Sequence, residues 1–206
     1  MTATPWKTRR NRRARLLLAL LWIATLGSAG PAAAAPSSTD GTVRVGDMAP
    51  EFGLTAFDGS PLRLSDYLGK GRPVLIVFWS YFCFPCQREM PLVAEMARNL
   101  SDRVQVVGIC LDGPEYDGKI LPYVESNRIT FPNAYDRQTD DFFEVAASYG
   151  VVGTPTFYLV DPAGRVRFIH LGRLPIDVLE KVIASARDPS FCAEILPPQA
   201  QKAPSP

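Results

Sequence analysis

Seven consecutive residues from Pro73 to Trp79, PVLIVFW, carry no polar side chain. A short unbroken apolar run rich in β-branched residues predicts a central strand buried on both faces. VQVVGIC, Val104–Cys110, predicts a second buried strand. Between them, CQREMPLVAEMARNL sets Met90, Val93, Ala94 and Ala97 at helical spacing, with Pro91 inside the helix and expected to kink it. Upstream, FGLTAFDGSPLRL alternates around Asp58-Gly59, a hairpin pattern. Downstream the pattern predicts a helix over Gly118–Asn127, weakened by Pro122. A short strand or extended connection at FPNAYD follows, then a helix over Thr139–Tyr149 closed by Gly150. TFYLVD and RVRFIHL read as two strands joined by a turn at Pro162-Ala163-Gly164, and Pro175–Arg187 as a last amphipathic helix. No internal repeat occurs. Strands alternating with helices, then a closing hairpin and helix, predict an α/β domain built on a mixed sheet.

The ends of the chain follow other rules. Residues 1–35 hold six basic side chains and no acid, then an apolar run, Leu16–Leu26, then small residues to Ala35. That order predicts a secretory signal peptide. The apolar run is short for a membrane span, which needs ~20 residues. With the alanines included, Leu16–Ala35 is uncharged throughout, so retention as an N-terminal membrane anchor stays open beside cleavage. Arg9-Arg10 and Arg12-Arg13 also allow a twin-arginine route. The organisation expected is a signal or anchor over 1–35, a linker over 36–45, one domain over 46–187 and a proline-rich tail over 188–206.

Beyond residue 35 the chain holds 16 basic and 21 acidic side chains, a balance of −5. A mildly acidic body without a basic stripe argues against nucleic acid as a partner. Export changes how the four cysteines, Cys83, Cys86, Cys110 and Cys192, are read, because thiols outside the cytosol tend to oxidise. One CxxC with a single histidine, His170, does not supply the four soft ligands of a structural zinc site. A Cys110–Cys192 disulfide stays open, as does a free Cys192 thiol.

The pair in SYFCFPCQREMP falls where a buried strand meets a helix. Cysteines at i and i+3 of a first helical turn face the same way and can close a small disulfide ring. There the first cysteine meets unpaired backbone N–H groups and the positive end of the helix dipole, both of which favour thiolate. On the residues alone the position favours a reactive thiolate, and a redox centre stays open beside a metal-binding pair or two inert thiols.

VLIVFWSYFCFPCQREMP resembles the active-site segment of thioredoxin-like proteins, most specifically the exported TlpA/ResA-type thiol:disulfide oxidoreductases with W-x-x-x-C-x-P-C-x-x-E-x-P. GDMAPEFGLTAFDGSPLRLSDYLGKGRPVLIVFW and YGVVGTPTFYLVDPAGRVRFIHLG extend the resemblance over residues 45–186. It implies a thioredoxin-like fold, a central mixed β-sheet flanked by helices with an N-terminal β-hairpin extension. It implies an enzyme, a thiol:disulfide oxidoreductase that needs no cofactor or metal. Its partners would be protein thiol or disulfide substrates and an upstream redox partner, such as a membrane electron donor. A periplasmic or other extracytoplasmic location and a reductive role like that in cytochrome c maturation come from the resemblance as well.

Carried over residue by residue, Cys83 would be the nucleophile and Cys86 the resolving thiol of a redox-active disulfide. Pro155, expected cis, would face the pair, and Thr154 would present its backbone to a substrate strand. Trp79 would pack under the loop, and with Phe84 and Pro85 shape the substrate-facing site. Many thioredoxins place a buried aspartate where this chain has Val77. Glu89, three residues after Cys86, is the expected substitute base, partly desolvated beneath Trp79 with a raised pKa. Two alternatives compete. A peroxiredoxin-type peroxidase would use Ser80 as the active-site hydroxyl, although Ile76 stands where that motif wants proline. A copper-binding assembly factor would use Cys83, Cys86 and His170.

Overall fold

A computed structural model describes residues 42–139 and 142–186. The predicted signal or anchor segment, most of the linker and the tail with Cys192 lie outside the described residues. The end of that linker belongs to the fold, since Val43 is buried in the core.

The element order is β1 (Gly53–Thr55), β2 (Pro61–Arg63), β3 (Val74–Trp79), α1 (Phe84–Asn99), β4 (Gln105–Cys110), α2 (Asp117–Ser126), β5 (Asn133–Tyr135), α3 (Glu144–Tyr149), β6 (Thr156–Val160), β7 (Val166–Leu171) and α4 (Ile176–Ser185). β1 and β2 form the expected antiparallel hairpin. The other five strands make one sheet in the order β5-β4-β3-β6-β7. β3 pairs parallel with β4 and antiparallel with β6, so the sheet is mixed.

β3 is apolar throughout because both of its faces are covered. Leu75, Val77 and Trp79 point into one core, with Met90 and Val93 of α1 and Leu179, Val182 and Ile183 of α4. Val74, Ile76 and Phe78 point into the other, with Leu54 and Leu62 of the hairpin and Val145 and Tyr149 of α3. All six β3 residues are fully buried. Each such side chain contributes roughly 1.5–3 kcal/mol on burial, so the central strand is the most strongly specified element.

α3 differs from expectation. The helix predicted over Thr139–Tyr149 begins only at Glu144. Gln138 and Phe143 instead form an isolated antiparallel bridge, and the Thr139 N–H donates to the Phe142 carbonyl at 2.8 Å. The helix starts where a distant cap can serve it: the buried Asp136 carboxylate accepts from the Val145 and Ala146 N–H groups at 2.9 and 2.8 Å. Gly150, at φ 70°, ends it in the left-handed conformation as expected. Pro91 does not end α1, which runs on to Asn99.

Candidate active site

The chain leaves the sheet at Trp79, turns through Ser80–Cys83 and enters α1 at Phe84. Cys83 is the N-cap of that helix, and its sulfur accepts from the Cys86 N–H at 3.3 Å. Pro85 stands in the first turn, where no N–H is needed for the helix ladder. Cys83 and Cys86 are joined as a disulfide. The two sulfurs are unequal. Cys86 is fully buried, whereas Cys83 is half-buried at the surface between the exposed Phe82 and Phe84.

Facing the pair is the loop before β6. The Thr154–Pro155 peptide bond is cis. The Thr154 carbonyl lies 3.3 Å from the Cys83 sulfur. The loop is held by the Thr156 hydroxyl, which donates to the Gly153 carbonyl at 2.6 Å, and by the Gly172 N–H, which donates to the Pro155 carbonyl at 2.7 Å. Beside Thr154 runs an open cleft of about 360 Å³ lined by Ser80, Leu111, Phe143, Ala146 and Val151.

Two of the expected site residues are buried. Trp79 cannot meet a substrate directly, because it has no exposed surface. It supports the site from beneath. Its indole N–H donates to Asn133 Oδ1 at 3.0 Å and its ring packs against Tyr123, which also meets Tyr81. Pro155 is likewise buried, so the loop offers Thr154 rather than the proline ring to solvent.

Glu89 is neither a surface carboxylate nor uncommitted. It is 3% exposed on α1, one turn beyond Cys86. Oε1 accepts from the Leu174 N–H at 2.9 Å and Oε2 pairs with Arg173 Nε at 3.3 Å. The glutamate thereby ties α1 to the connection between β7 and α4.

Sequence reasoning did not find Asn133, Gln87, Tyr123 or Asp112, all of which touch the site's supports. Asn133 fills the space over Gly108, and Gln87 Nε2 donates to the Tyr81 carbonyl at 2.6 Å. Their only signal in the sequence was polarity inside or just beyond apolar segments.

Residues 45–169 match the AhpC/TSA family. The chain belongs to that family. Among curated relatives, it is 32% identical to the thiol-disulfide oxidoreductase ResA of Geobacillus thermodenitrificans, over 84% of this chain and 94% of the relative. The ResA of Geobacillus kaustophilus is 34% identical, over 70% of this chain and 79% of the relative. Among solved structures, a thiol:disulfide interchange protein DsbE from Chlorobium tepidum superposes with a TM-score of 0.61 at 31% identity, covering 71% of this chain and 99% of that one. The AhpC/TSA fold of this chain is thioredoxin-like, with the mixed sheet and N-terminal hairpin described above.

Neither competing reading is supported by the side chains. The Ser80 hydroxyl donates to Asp112 Oδ1 at 2.8 Å and accepts from the Phe82 N–H at 3.1 Å, and Ile76 is buried in mid-strand. That hydroxyl is committed to the loop rather than turned toward a peroxide. His170 lies on the edge strand β7, with Nε2 3.0 Å from the Arg173 carbonyl and its ring stacked on Phe168. Among the described residues it does not gather with Cys83 and Cys86 into a metal-ligating group. Cys110 is a free, buried thiol whose sulfur lies 3.4 Å from Asp112 Oδ2, and burial pushes its ionisation well above the ordinary thiol range.

Proposed function

We propose that Cys83 attacks, and Cys86 resolves, disulfides exchanged with protein substrates outside the cytoplasm. The protein is a thiol:disulfide oxidoreductase. The observation that supports this division of labour is the inequality of the two sulfurs: Cys83 reaches the surface beside the Thr154 carbonyl, and Cys86 is closed off behind it. In the reduced protein the helix N-terminus and the Cys86 N–H favour a Cys83 thiolate.

The thiolate attacks one sulfur of a substrate disulfide. A Cys83–substrate bond forms and the other substrate sulfur leaves as thiolate. The substrate backbone then lies along Thr154 as a short added strand, with side chains over Phe84, Pro85 and the neighbouring cleft. Cys86 gives up its proton, with Glu89 as the base, and attacks Cys83 Sγ. The second substrate thiol leaves and Cys83–Cys86 closes. All steps reverse, so the potentials of the partners set the direction. An upstream redox partner restores the dithiol in a reductive cycle of the kind that prepares apocytochrome cysteines.

Export is supported by the basic, apolar and small-residue order of residues 1–35. No helix among the described residues is long and apolar enough to cross a membrane. An anchor would therefore be the N-terminal segment, and cell fractionation of the intact chain tests it.

Trapping tests the exchange reading. A Cys86→Ser variant blocks resolution and should accumulate mixed disulfides, identifiable by mass spectrometry. The Cys83→Ser/Cys86→Ser double variant should accumulate none. Adducts that persist without Cys83 would overturn the assignment.

A further inference from the structure

The turn that carries Cys83 is held from a neighbouring strand by a buried carboxylate. Asp112 lies just past the end of β4 and is 9% exposed. Its Oδ1 accepts from the Ser80 hydroxyl at 2.8 Å, and Oδ2 accepts from the Tyr81 N–H at 2.5 Å. The Cys110 thiol adds a third neutral donor, 3.4 Å from Oδ2. Ser80 passes the constraint on: its hydroxyl accepts from the Phe82 N–H at 3.1 Å, and its carbonyl accepts from the Cys83 N–H at 3.3 Å. From the opposite side, Gln87 Nε2 donates to the Tyr81 carbonyl at 2.6 Å. Each backbone N–H from Tyr81 to Cys83 thus bonds to Asp112 or to Ser80, which Asp112 holds.

We propose that Asp112, acting through Ser80, is a positioning residue for disulfide exchange: it fixes the turn so that the Cys83 sulfur stands between the Cys86 N–H and the Thr154 carbonyl. This rests on the reading of Cys83 as the attacking thiol. Hydrogen bonds to an ionised acceptor are roughly twice as strong as neutral ones, and burial shields these from competing water. Ser80 caps the turn from within, and its own hydroxyl proton needs an acceptor in turn. Here the acceptor comes from 32 residues away, so the turn is referred to the sheet itself rather than to its own flexible backbone. The arrangement gives the Ser80 hydroxyl a role in the turn in place of the one the peroxidase reading assigned it. Loosening the turn lets Cys83 swing off the helix N-terminus, which removes the donor that favours thiolate and misaligns the sulfur with a substrate on Thr154.

The test uses the full chain, reduced, with insulin as the protein disulfide. Asp112→Asn, Ser80→Ala and Ser80→Thr are compared with the parent. Two quantities are read: the pH profile of Cys83 alkylation, and kcat/KM for insulin reduction. Asp112→Asn and Ser80→Ala should move the alkylation profile to higher pH and lower kcat/KM by about tenfold, the loss of ~1.4 kcal/mol of transition-state stabilisation. Ser80→Thr keeps the hydroxyl and should restore both. Superimposable profiles and unchanged kcat/KM in folded variants, even with a lower melting temperature, would overturn the proposal. If Asp112→Asn does not fold, the Ser80 pair decides alone, because Ser80 lies partly at the surface. A Cys83→Ser control separates the two claims. Activity retained there overturns the exchange reading and this proposal together. Activity lost there but intact in the Asp112 and Ser80 variants overturns only this one.

Discussion

Tyr123 supplies α1 with the hydrogen bond that Pro91 takes away. Pro91 has no N–H for the carbonyl of Gln87, four residues earlier, and the Tyr123 hydroxyl donates to that carbonyl at 2.9 Å. This is one reason the helix runs through its proline, and it ties α2 to the residue that follows Cys86. Tyr123→Phe keeps the ring against Trp79 and deletes only the hydroxyl. It should lower stability by about 0.5–1.5 kcal/mol, read in urea as a shifted midpoint with unchanged slope. An unchanged midpoint would mean that water serves the carbonyl equally well.

Burial pushes the Tyr123 and Tyr158 phenols up to about 12, above the ordinary value of 10; Tyr81 adds to the effect at Tyr123. A folded value above the unfolded one means that the folded chain holds these protons longer. Their contribution is complete below pH 10 and is lost as pH rises toward 12. Melting temperature should therefore fall across that interval, in step with phenolate absorbance. In Tyr123→Phe the fall should be shallower. Equal slopes in the two proteins would remove Tyr123 from the alkaline transition.

Gly108 should tolerate no side chain. A Cβ there would stand 1.9 Å from Asn133 Oδ1, the acceptor of the Trp79 indole N–H. Gly108→Ala must displace Asn133, leaving a buried donor unpaired at a cost of about 1–3 kcal/mol. Tryptophan fluorescence should shift in the folded variant. Its stability should drop more than in Gly118→Ala, where a Cβ meets nothing within 4 Å. Comparable losses at the two positions would show that the Asn133 contact is dispensable.

Glu89→Gln separates support from proton transfer. The amide oxygen can still accept from the Leu174 N–H, so the fold should persist, while the group can no longer take a proton. Attack by Cys83 should be unchanged and resolution by Cys86 slowed by ~10²–10⁴-fold, the usual range for loss of a general base. The defect should shrink at high pH, where the Cys86 thiol ionises unaided. Stopped-flow decay of the mixed disulfide across pH measures this. Coincident profiles would leave Glu89 only the structural tie to Arg173 and Leu174.

Elements whose signals are local, and chemistry that needs only two neighbours, were legible in the amino-acid pattern. The apolar run Val74–Trp79, the hairpin at Asp58-Gly59 and the strand–CxxC–helix junction follow from side-chain pattern within a few residues, and all three stand as expected. Tertiary structure decided what depends on groups distant along the chain. It shortened α3, whose first N–H groups are served by Asp136 from just past the end of β5. It buried Trp79 and gave its indole to Asn133, an acceptor from β5 that fits only because Gly108 has no side chain. It bound Glu89 to the β7–α4 connection and hung the Cys83 turn on Asp112. Periodicity reports which face of an element is buried. It does not report which polar group from another strand will meet a lone donor there, and in this protein those long-range pairings hold the active-site turn in place.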